Sequence, residues 1–453
     1  MLMGNATKMN FLKIIILSNF ALLIFILSIP GTIALRNTLA VLLIITLALS
    51  WLKNKISMKP LFNNKSFRSI ILILLIQSIY ILIHSFFIAD EVHWSLSQYR
   101  AQWIYPMIYF TIGIFLASHA FFDKVFKKET LINIIFFTLF AHILFIDLIA
   151  IHEYLISGNL LTRYGGLTES AVLANYITNI LNSIIIVELI YRYRTRSHVI
   201  NVNLFFLLII FILCIFSSII EGMRFGVISL FFMGLAAGFF FIAINKKISL
   251  KVKYFFALSL LIFCSLPLIL NSMNDSRWLS LVETFPIAMD TESNLYWQGD
   301  ESNIPTLSDG KEVSHSNYMR IAWAVKGIEY ISKDIFGIGY GKNAFGHAME
   351  KYDGVNSARG YHSHSSIIDF TIGVGLFGLL LWCIFIGKVL HSCAKIFLNS
   401  EDYFSLLTIF ITSGFFFRSL LDGNMRDHMF KQFFLLLGVS LMLTLYEKTK
   451  KTS

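Results

Sequence analysis

The chain has 453 residues, of which 56% are hydrophobic and 14% charged, with 44 phenylalanines and a formal net charge of +10. Together with a mean hydropathy of +0.70, this balance excludes a soluble globular domain and a disordered chain and defines an integral membrane protein. The positive charge sits in short segments between apolar stretches, so it reads as membrane topology and not as a nucleic-acid footprint.

Taken in chain order, stretches apolar and long enough to cross a bilayer lie near residues 11–29, 38–52, 69–89, 102–122, 131–151, 170–191, 201–220, 225–244, 253–271, 366–387, 403–421 and 430–446. The expected fold is an all-α integral membrane protein of about twelve transmembrane helices, the second and twelfth being the shortest. Residues 1–271 hold the first nine spans, 272–364 form one large external loop, and 365–453 hold the last three spans and a tail. Lys53, Lys55, Lys59, Lys65 and Arg68, then Lys124, Lys127 and Lys128, then Arg192, Arg194 and Arg196, then Lys246, Lys247, Lys251 and Lys253, and finally Lys448, Lys450 and Lys451 collect on one side. That side is cytoplasmic by the positive-inside rule, which puts both termini in the cytoplasm and the loop outside. Lys8 and Lys13 precede the first span and no A-x-A-like site follows it, so it reads as an uncleaved anchor.

The loop at 272–364 is too long for a passive link. An acidic, Ser/Asn-rich front around Asp290 to Glu312 leads to a helix expected to start at Asn317 as N-cap, with Met319, Trp323, Ile328 and Ile331 on one face. Such a helix suits the membrane surface, where it would hold Arg320 near the interface. Gly337-Ile338-Gly339-Tyr340-Gly341 has no strand before it and no Walker lysine after it, so it reads as a tight turn and implies no ATP.

His364 stands where the tenth span begins. A neutral imidazole at that boundary can take a proton from a hydroxyl arriving from water while a lipid-borne partner arrives from the bilayer. Arg163, Arg224, Arg320, Arg418 and Arg426 all fall on the external side, against the topology rule, and a negatively charged ligand there accounts for them. His362-x-His364 and Asp290-x-Glu292 offer two ligands apiece, too few for a metal site, and no metal or other cofactor is expected. Cys214, Cys264 and Cys383 lie in spans and Cys393 on the cytoplasmic side, so no disulfide is expected.

His364-Ser365-x9-Gly375-x2-Gly378 resembles the H-[N/S/Q]-x9-G-x2-[G/T/Y] motif of bacterial O-antigen ligases, which share a membrane domain with O-antigen polymerases. His362 does not fit that frame, because it would put Leu376 at the last position. Arg320-Ile321-Ala322-Trp323 followed by the Gly337–Gly341 turn, and Glu221 to Leu230 around Arg224, resemble two further family segments, with Met223 and Phe225 departing from the usual small residues. Arg163 to Tyr176 resembles a third, with Glu169 and Ser170 departing from it. The resemblance implies a glycosyltransferase of the GT-C type in the inner membrane, moving a finished glycan from undecaprenyl diphosphate to a sugar of the lipid A core. It implies a periplasmic site with His364 as general base and Arg224, Arg320 and, more weakly, Arg163 on the diphosphate, without metal or ATP. Gly375 and Gly378, three residues apart, are expected on one helical face as a helix-packing motif. Two alternatives stay open: an O-antigen polymerase using the same donor, and a transporter of polysaccharide or lipid-linked glycan. Against the transporter, the spans are nearly free of charge at their centres, with Asp147, Glu188 and Asp369 placed towards helix ends.

Overall fold

The computed structural model describes residues 2–54, 59–122, 126–244, 279–299 and 304–451, with single or paired residues between 249 and 273. Its helices are α1 (Leu2–Ile26), α2 (Ile33–Asn54), α3 (Lys59–Asn63), α4 (Lys65–Phe87), α5 (Val92–Gln98), α6 (Tyr105–Phe122), α7 (Lys128–Ser157) and α8 (Ala171–Thr195). They continue with α9 (Leu204–Glu221), α10 (Arg224–Ile244), α11 (Leu279–Met289), α12 (His315–Lys333), α13 (Ala344–Asp353), α14 (Ser366–Ser400), α15 (Tyr403–Leu421) and α16 (Asp427–Lys451). A π-helical turn, Tyr99–Ile104, joins α5 to α6.

The protein is a multi-pass, all-α membrane protein. Among the described residues nine helical segments are long and apolar enough to cross a bilayer: α2, α4, Val92–Ala120, α7, α8, α9, α14, α15 and Asp427–Leu445. Shorter apolar helices, Phe11–Ile26 and Arg224–Ala236, fall at the expected first and eighth spans. The expected ninth span at 253–271 lies largely outside the described residues, as do Lys55, Lys124, Lys246, Lys247, Lys253 and Cys264. The helix at the expected tenth span, α14, runs past its expected end at 387 to Ser400, which buries Cys393 inside the bundle. Asp147 lies well inside α7 instead of near its end, because α7 continues to Ser157; its carboxylate accepts a 2.5 Å hydrogen bond from Ser217 of α9.

α8 and α16 run through the middle, each 89% buried over its apolar stretch. α16 packs along α6, and their backbones meet at two glycines: a Cβ on Gly113 would lie 2.4 Å from the Leu435 oxygen, and one on Gly438 2.3 Å from the Phe110 oxygen. Buried Trp103 and Trp382, with ring centroids 6.3 Å apart, fill the core below the loop end together with Phe430 and Phe434.

The loop segment forms a small core of its own. Tyr318, Trp323 and Tyr330 of α12 pack with Tyr296, Trp297, Phe345 and Met349. α12 turns its aromatic face onto this core and α14, while Ile328 of the expected apolar face is 65% exposed. The helix also starts two residues earlier than Asn317. Ser314 is the N-cap by backbone conformation, without a side-chain cap hydrogen bond, and Asn317 lies inside the helix, its Nδ2 donating to Ser280 Oγ of α11 at 3.3 Å.

Gly375 corrects another expectation. It does not share a helical face with Gly378, because it breaks α14 with φ 71° and ψ 178°, a conformation essentially restricted to glycine. The kink exposes backbone that the glycine-rich turn pairs with: Ile338 N donates to Ile372 O and Gly339 N to Gly373 O, both at 3.0 Å, and Leu376 N to Ile335 O at 2.9 Å. A Cβ on Gly375 would sit 2.3 Å from Phe336 O. Gly378, by contrast, packs on α4, where its carbonyl accepts from Gln77 Nε2 at 3.2 Å. Gly375→Ala is expected to destabilise the purified protein by about 2 kcal/mol or more, from strain and backbone collision together. Gly387→Ala, which meets nothing within 4 Å, is expected to melt like the parent in the same thermal scan.

Candidate functional site

The site is built where the loop core meets the N-terminus of α14. Ser365 caps that helix, its Oγ accepting from Ile368 N at 3.4 Å. Asp369, on the first turn, accepts from Ser363 N at 3.1 Å and Ser363 Oγ at 2.9 Å, and from Phe345 N at 3.2 Å. One carboxylate thus ties the approach to α14 to the start of α13. The other side is held by the α15–α16 connection: Ser366 N donates to Asp422 O at 3.0 Å, and Met425 N donates to Ser366 Oγ at 2.8 Å. Between these clamps His364 takes φ 58°, a left-handed conformation uncommon for a residue with a Cβ. Strain of this kind persists only where the surroundings over-determine it.

The turn stacks His364 on Trp323, with ring centroids 5.4 Å apart and planes 17° apart. Trp323 is itself fixed by donation from Nε1 to Trp297 O at 2.8 Å. The His362 ring stands edge-on to His364, with centroids 4.5 Å apart. Burial, and then the Arg320 charge, hold the His364 imidazole down at about 4, against the opposing pull of Asp422. It is therefore neutral at pH 7 and has a lone pair to offer. Its ring nitrogens make no hydrogen bond to the described residues.

His362 is in a different position. Arg426 Nη2 lies 3.1 Å from its Nε2, and the His364 backbone N–H points at its Nδ1 from 3.2 Å. Both neighbours can only donate, so both ring nitrogens face donors. Burial and the Arg426 charge push its pKa to about 2.

The structure brings Arg163, Arg224 and Arg320 into one region. The Arg320 guanidinium carbon sits 4.2 Å from the ring centroid of Phe225, a cation–π contact. The preceding residue, Arg224, opens α10 and donates to Ser316 Oγ of α12 at 3.3 Å. Arg163 has φ 56° and packs its side chain against Gly222. Phe225 also heads an apolar groove of about 680 Å³ between α10 and α15, lined by Ile228, Phe232, Phe410 and Phe417. Arg320 therefore stacks on the ring that closes one end of this groove, and Arg418 is the arginine that lines it.

A buried relay connects the Arg224 segment to the His364 turn. Glu221 accepts from Asn175 Nδ2 at 2.7 Å and Thr178 Oγ1 at 2.5 Å; Asn175 Oδ1 accepts from Arg418 at 3.0 Å; Arg418 pairs with Asp422 at 2.7 Å. Arg418 is 4% exposed, and its guanidinium is committed to α8 and Asp422. It is a framework arginine, unlike Arg320. Gly226 lets α10 close onto this relay, because a Cβ there would fall 1.9 Å from the Asn175 amide. Sequence reasoning singled out Arg418 and Arg426 only by their side of the membrane. Asp422 and Asp369 could have been sought as acids bordering spans, but only the fold assigns their partners.

Among the described residues, Glu91, His347 and Glu350 come close enough to share a metal ion. Arg359 already bridges the two carboxylates, at 3.2 Å from Glu91 and 2.5 Å from Glu350. Burial lowers the His347 pKa. Neither His362 with His364 nor Asp290 with Glu292 assembles a third ligand among those residues.

No curated protein matches the chain. Residues 209–383 match the family model described as O-Antigen ligase, a stretch that contains Arg224, Arg320, His364, Gly375 and Gly378 and ends before Arg418 and Arg426. Members of that family are glycosyltransferase-like enzymes, ligases or polymerases, and residues 209–383 are the part of this chain that is similar to them.

Proposed function

We propose that this protein is an inverting glycosyltransferase of the inner membrane that transfers a glycan from undecaprenyl diphosphate to a sugar hydroxyl of lipid A–core at its periplasmic face. The observation that carries this reading is a neutral, half-buried His364 fixed in a strained turn in the field of Arg320, whose guanidinium stacks on Phe225 at one end of an apolar groove. Both termini are then cytoplasmic, and the fold is of the GT-C type. The polyprenyl chain lies in the α10–α15 groove, and its diphosphate meets Arg320 and Arg224, with Arg163 at the rim. A guanidinium fork matches phosphate oxygens in pairs and keeps its charge at any working pH.

His364 takes the acceptor hydroxyl proton as that oxygen bonds to the anomeric carbon. The bond from this carbon to the diphosphate oxygen breaks on the opposite side, the electron pair leaves with the diphosphate, and configuration inverts. The leaving group is activated already, so the residues chiefly align the partners and stabilise growing charge. Water later removes the proton from the imidazolium.

The test in cells is deletion of the gene followed by inspection of the surface lipopolysaccharide. Core without attached chains, with lipid-linked polymer accumulating, is expected; single repeats left on core would mark a polymerase, and unchanged lipopolysaccharide would overturn the reading. Because arginines neutralise the leaving group, purified enzyme is expected to keep most of its transfer rate after exhaustive chelation. Activity lost with chelator and restored by a divalent ion would overturn the metal-independent mechanism.

A further inference from the structure

A second group of cations lies on the other side of the histidine pair. Arg36, on the first turn of α2, donates from Nη1 to Leu27 O at 2.8 Å, while its buried Nε has no hydrogen-bond partner. Lys342, just after the glycine-rich turn, reaches Asp427 at 3.3 Å. Arg426 touches His362 at 3.1 Å. Lys431, one turn into α16, lies 5.3 Å from the centroid of the Tyr105 ring. His428 lies in the field of Arg36, Asp427, Lys431 and Arg426, and its buried Nε2 also has no hydrogen-bond partner. Four formal cations therefore surround one carboxylate, Asp427, that is itself 42% exposed.

Cations partly withdrawn from water at a membrane boundary are costly unless an anion meets them. The face is also the one where such charge is disfavoured by topology. Asp427 answers part of that charge and leaves an excess. A polar cleft lined by Gln102, Lys342, Ser366, Asp369 and Arg426 lies beside the cluster, and Arg426 links it to His362; Asp369 is already committed to Ser363 and Phe345. Below it, an apolar groove of about 660 Å³ runs between α2 and α6, from Ile44 and Ile104 down to Trp51 and Phe115. Ile44 is two turns below Arg36, about 12 Å along the helix, and Ile104 adjoins Tyr105 under Lys431. This groove shares no lining residue with the one between α10 and α15.

We infer that Arg36, Lys342, Arg426 and Lys431 seat the phosphorylated headgroup of an acyl glycolipid, the acceptor, whose chains lie in the α2–α6 groove. This rests on the transferase reading above and assigns the acceptor its own side of the site. The donor reaches His364 from the Arg320 side, and the acceptor reaches it past Arg426 and His362. Two separate lipid seats keep the two substrates from competing for one groove. Their headgroups converge on the one neutral imidazole.

The test uses the full-length protein in detergent, with bisphosphorylated lipid A–core and its dephosphorylated form as probes, read by direct binding and by transfer. Parent protein is expected to bind the phosphorylated probe at least about tenfold more tightly, since one charge-assisted contact is worth that much. The double variant Arg36→Gln/Lys431→Gln is expected to lose that preference and to raise the acceptor KM by a similar factor, with the donor KM within about twofold. Lys431→Arg is expected to keep the preference, which separates lost charge from misfolding. Equal binding of the two probes by the parent, displacement of the phosphorylated probe by phosphatidylglycerol at equal concentration, or a matching rise in donor KM would each overturn the inference. Binding is read without turnover, so a phosphate preference without transfer upholds the lipid seat and overturns only the glycosyltransferase reading.

Discussion

His364→Ala is expected to cut transfer by about a hundred- to ten-thousandfold, the range for loss of a general base, in protein that still inserts and binds lipid-linked donor. His362→Ala is expected to keep substantial activity. The two rings are 4.5 Å apart between centroids, so proximity does not separate them; hydrogen bonding does. Both nitrogens of His362 face donors, Arg426 and the His364 backbone N–H, which leaves no lone pair for a substrate proton. His364 has its ring nitrogens clear of the described residues, and Trp323 holds its plane. Its pKa of about 4 lies below the ordinary histidine value, so the base form is present at neutral pH and is lost only as pH falls through the region of 4. The acid limb of kcat/KM is therefore expected well below pH 6.5, the unperturbed histidine value. An active His364→Ala enzyme, compared with His362→Ala in the same purified transfer assay, would end the general-base assignment. An acid limb centred near the unperturbed value would say that the ring is solvated during turnover.

Arg320→Lys and Arg224→Lys are each expected to lower kcat/KM by about a hundredfold or more, the scale seen when a donor to developing charge is removed. Lysine keeps the charge but gives up the planar fork that two phosphate oxygens engage. For Arg320 there is a second loss, because its guanidinium lies on the Phe225 ring and that ring heads the groove between α10 and α15. Arg163→Lys is expected to cost less, since Arg163 is exposed and packs beside Gly222 instead of on the loop helix. Donor and acceptor should be varied separately in the assay. Wild-type kcat/KM in either lysine variant would remove that residue from the diphosphate role, and a loss confined to the acceptor KM would move it to the acceptor side.

Much of the site was legible in sequence for definite reasons. Apolar runs report spans because an unpaired backbone cannot cross a bilayer except as a helix or closed barrel, and nine of the described helices lie at expected spans. The histidine spacing carried a family motif, and Arg224 and Arg320 stood out because the expected topology puts them on the side that is poor in basic residues. What spacing could not reveal was conformation. Gly375 and Gly378 sit three residues apart and read as one face of a helix, yet Gly375 breaks the helix to pair with the glycine-rich turn. A helical repeat assumes continuous backbone, and a glycine can abandon it wherever a distant carbonyl comes close enough.

The sequence by itself determined that this is a multi-pass α-helical membrane protein, and it led to the expectation of one large late loop with a histidine and several arginines on its side. Those properties depend on composition and on residues near one another in the chain. Only the tertiary structure decided which histidine has a lone pair to offer, that Arg418 is buried against Asp422 while Arg320 stacks on Phe225, and that Asn175 and Glu221 join the Arg224 segment to the His364 turn. Each of these depends on partners tens to hundreds of residues away. Proton affinity and charge availability follow from burial and from neighbours in space, which neither spacing nor composition encodes.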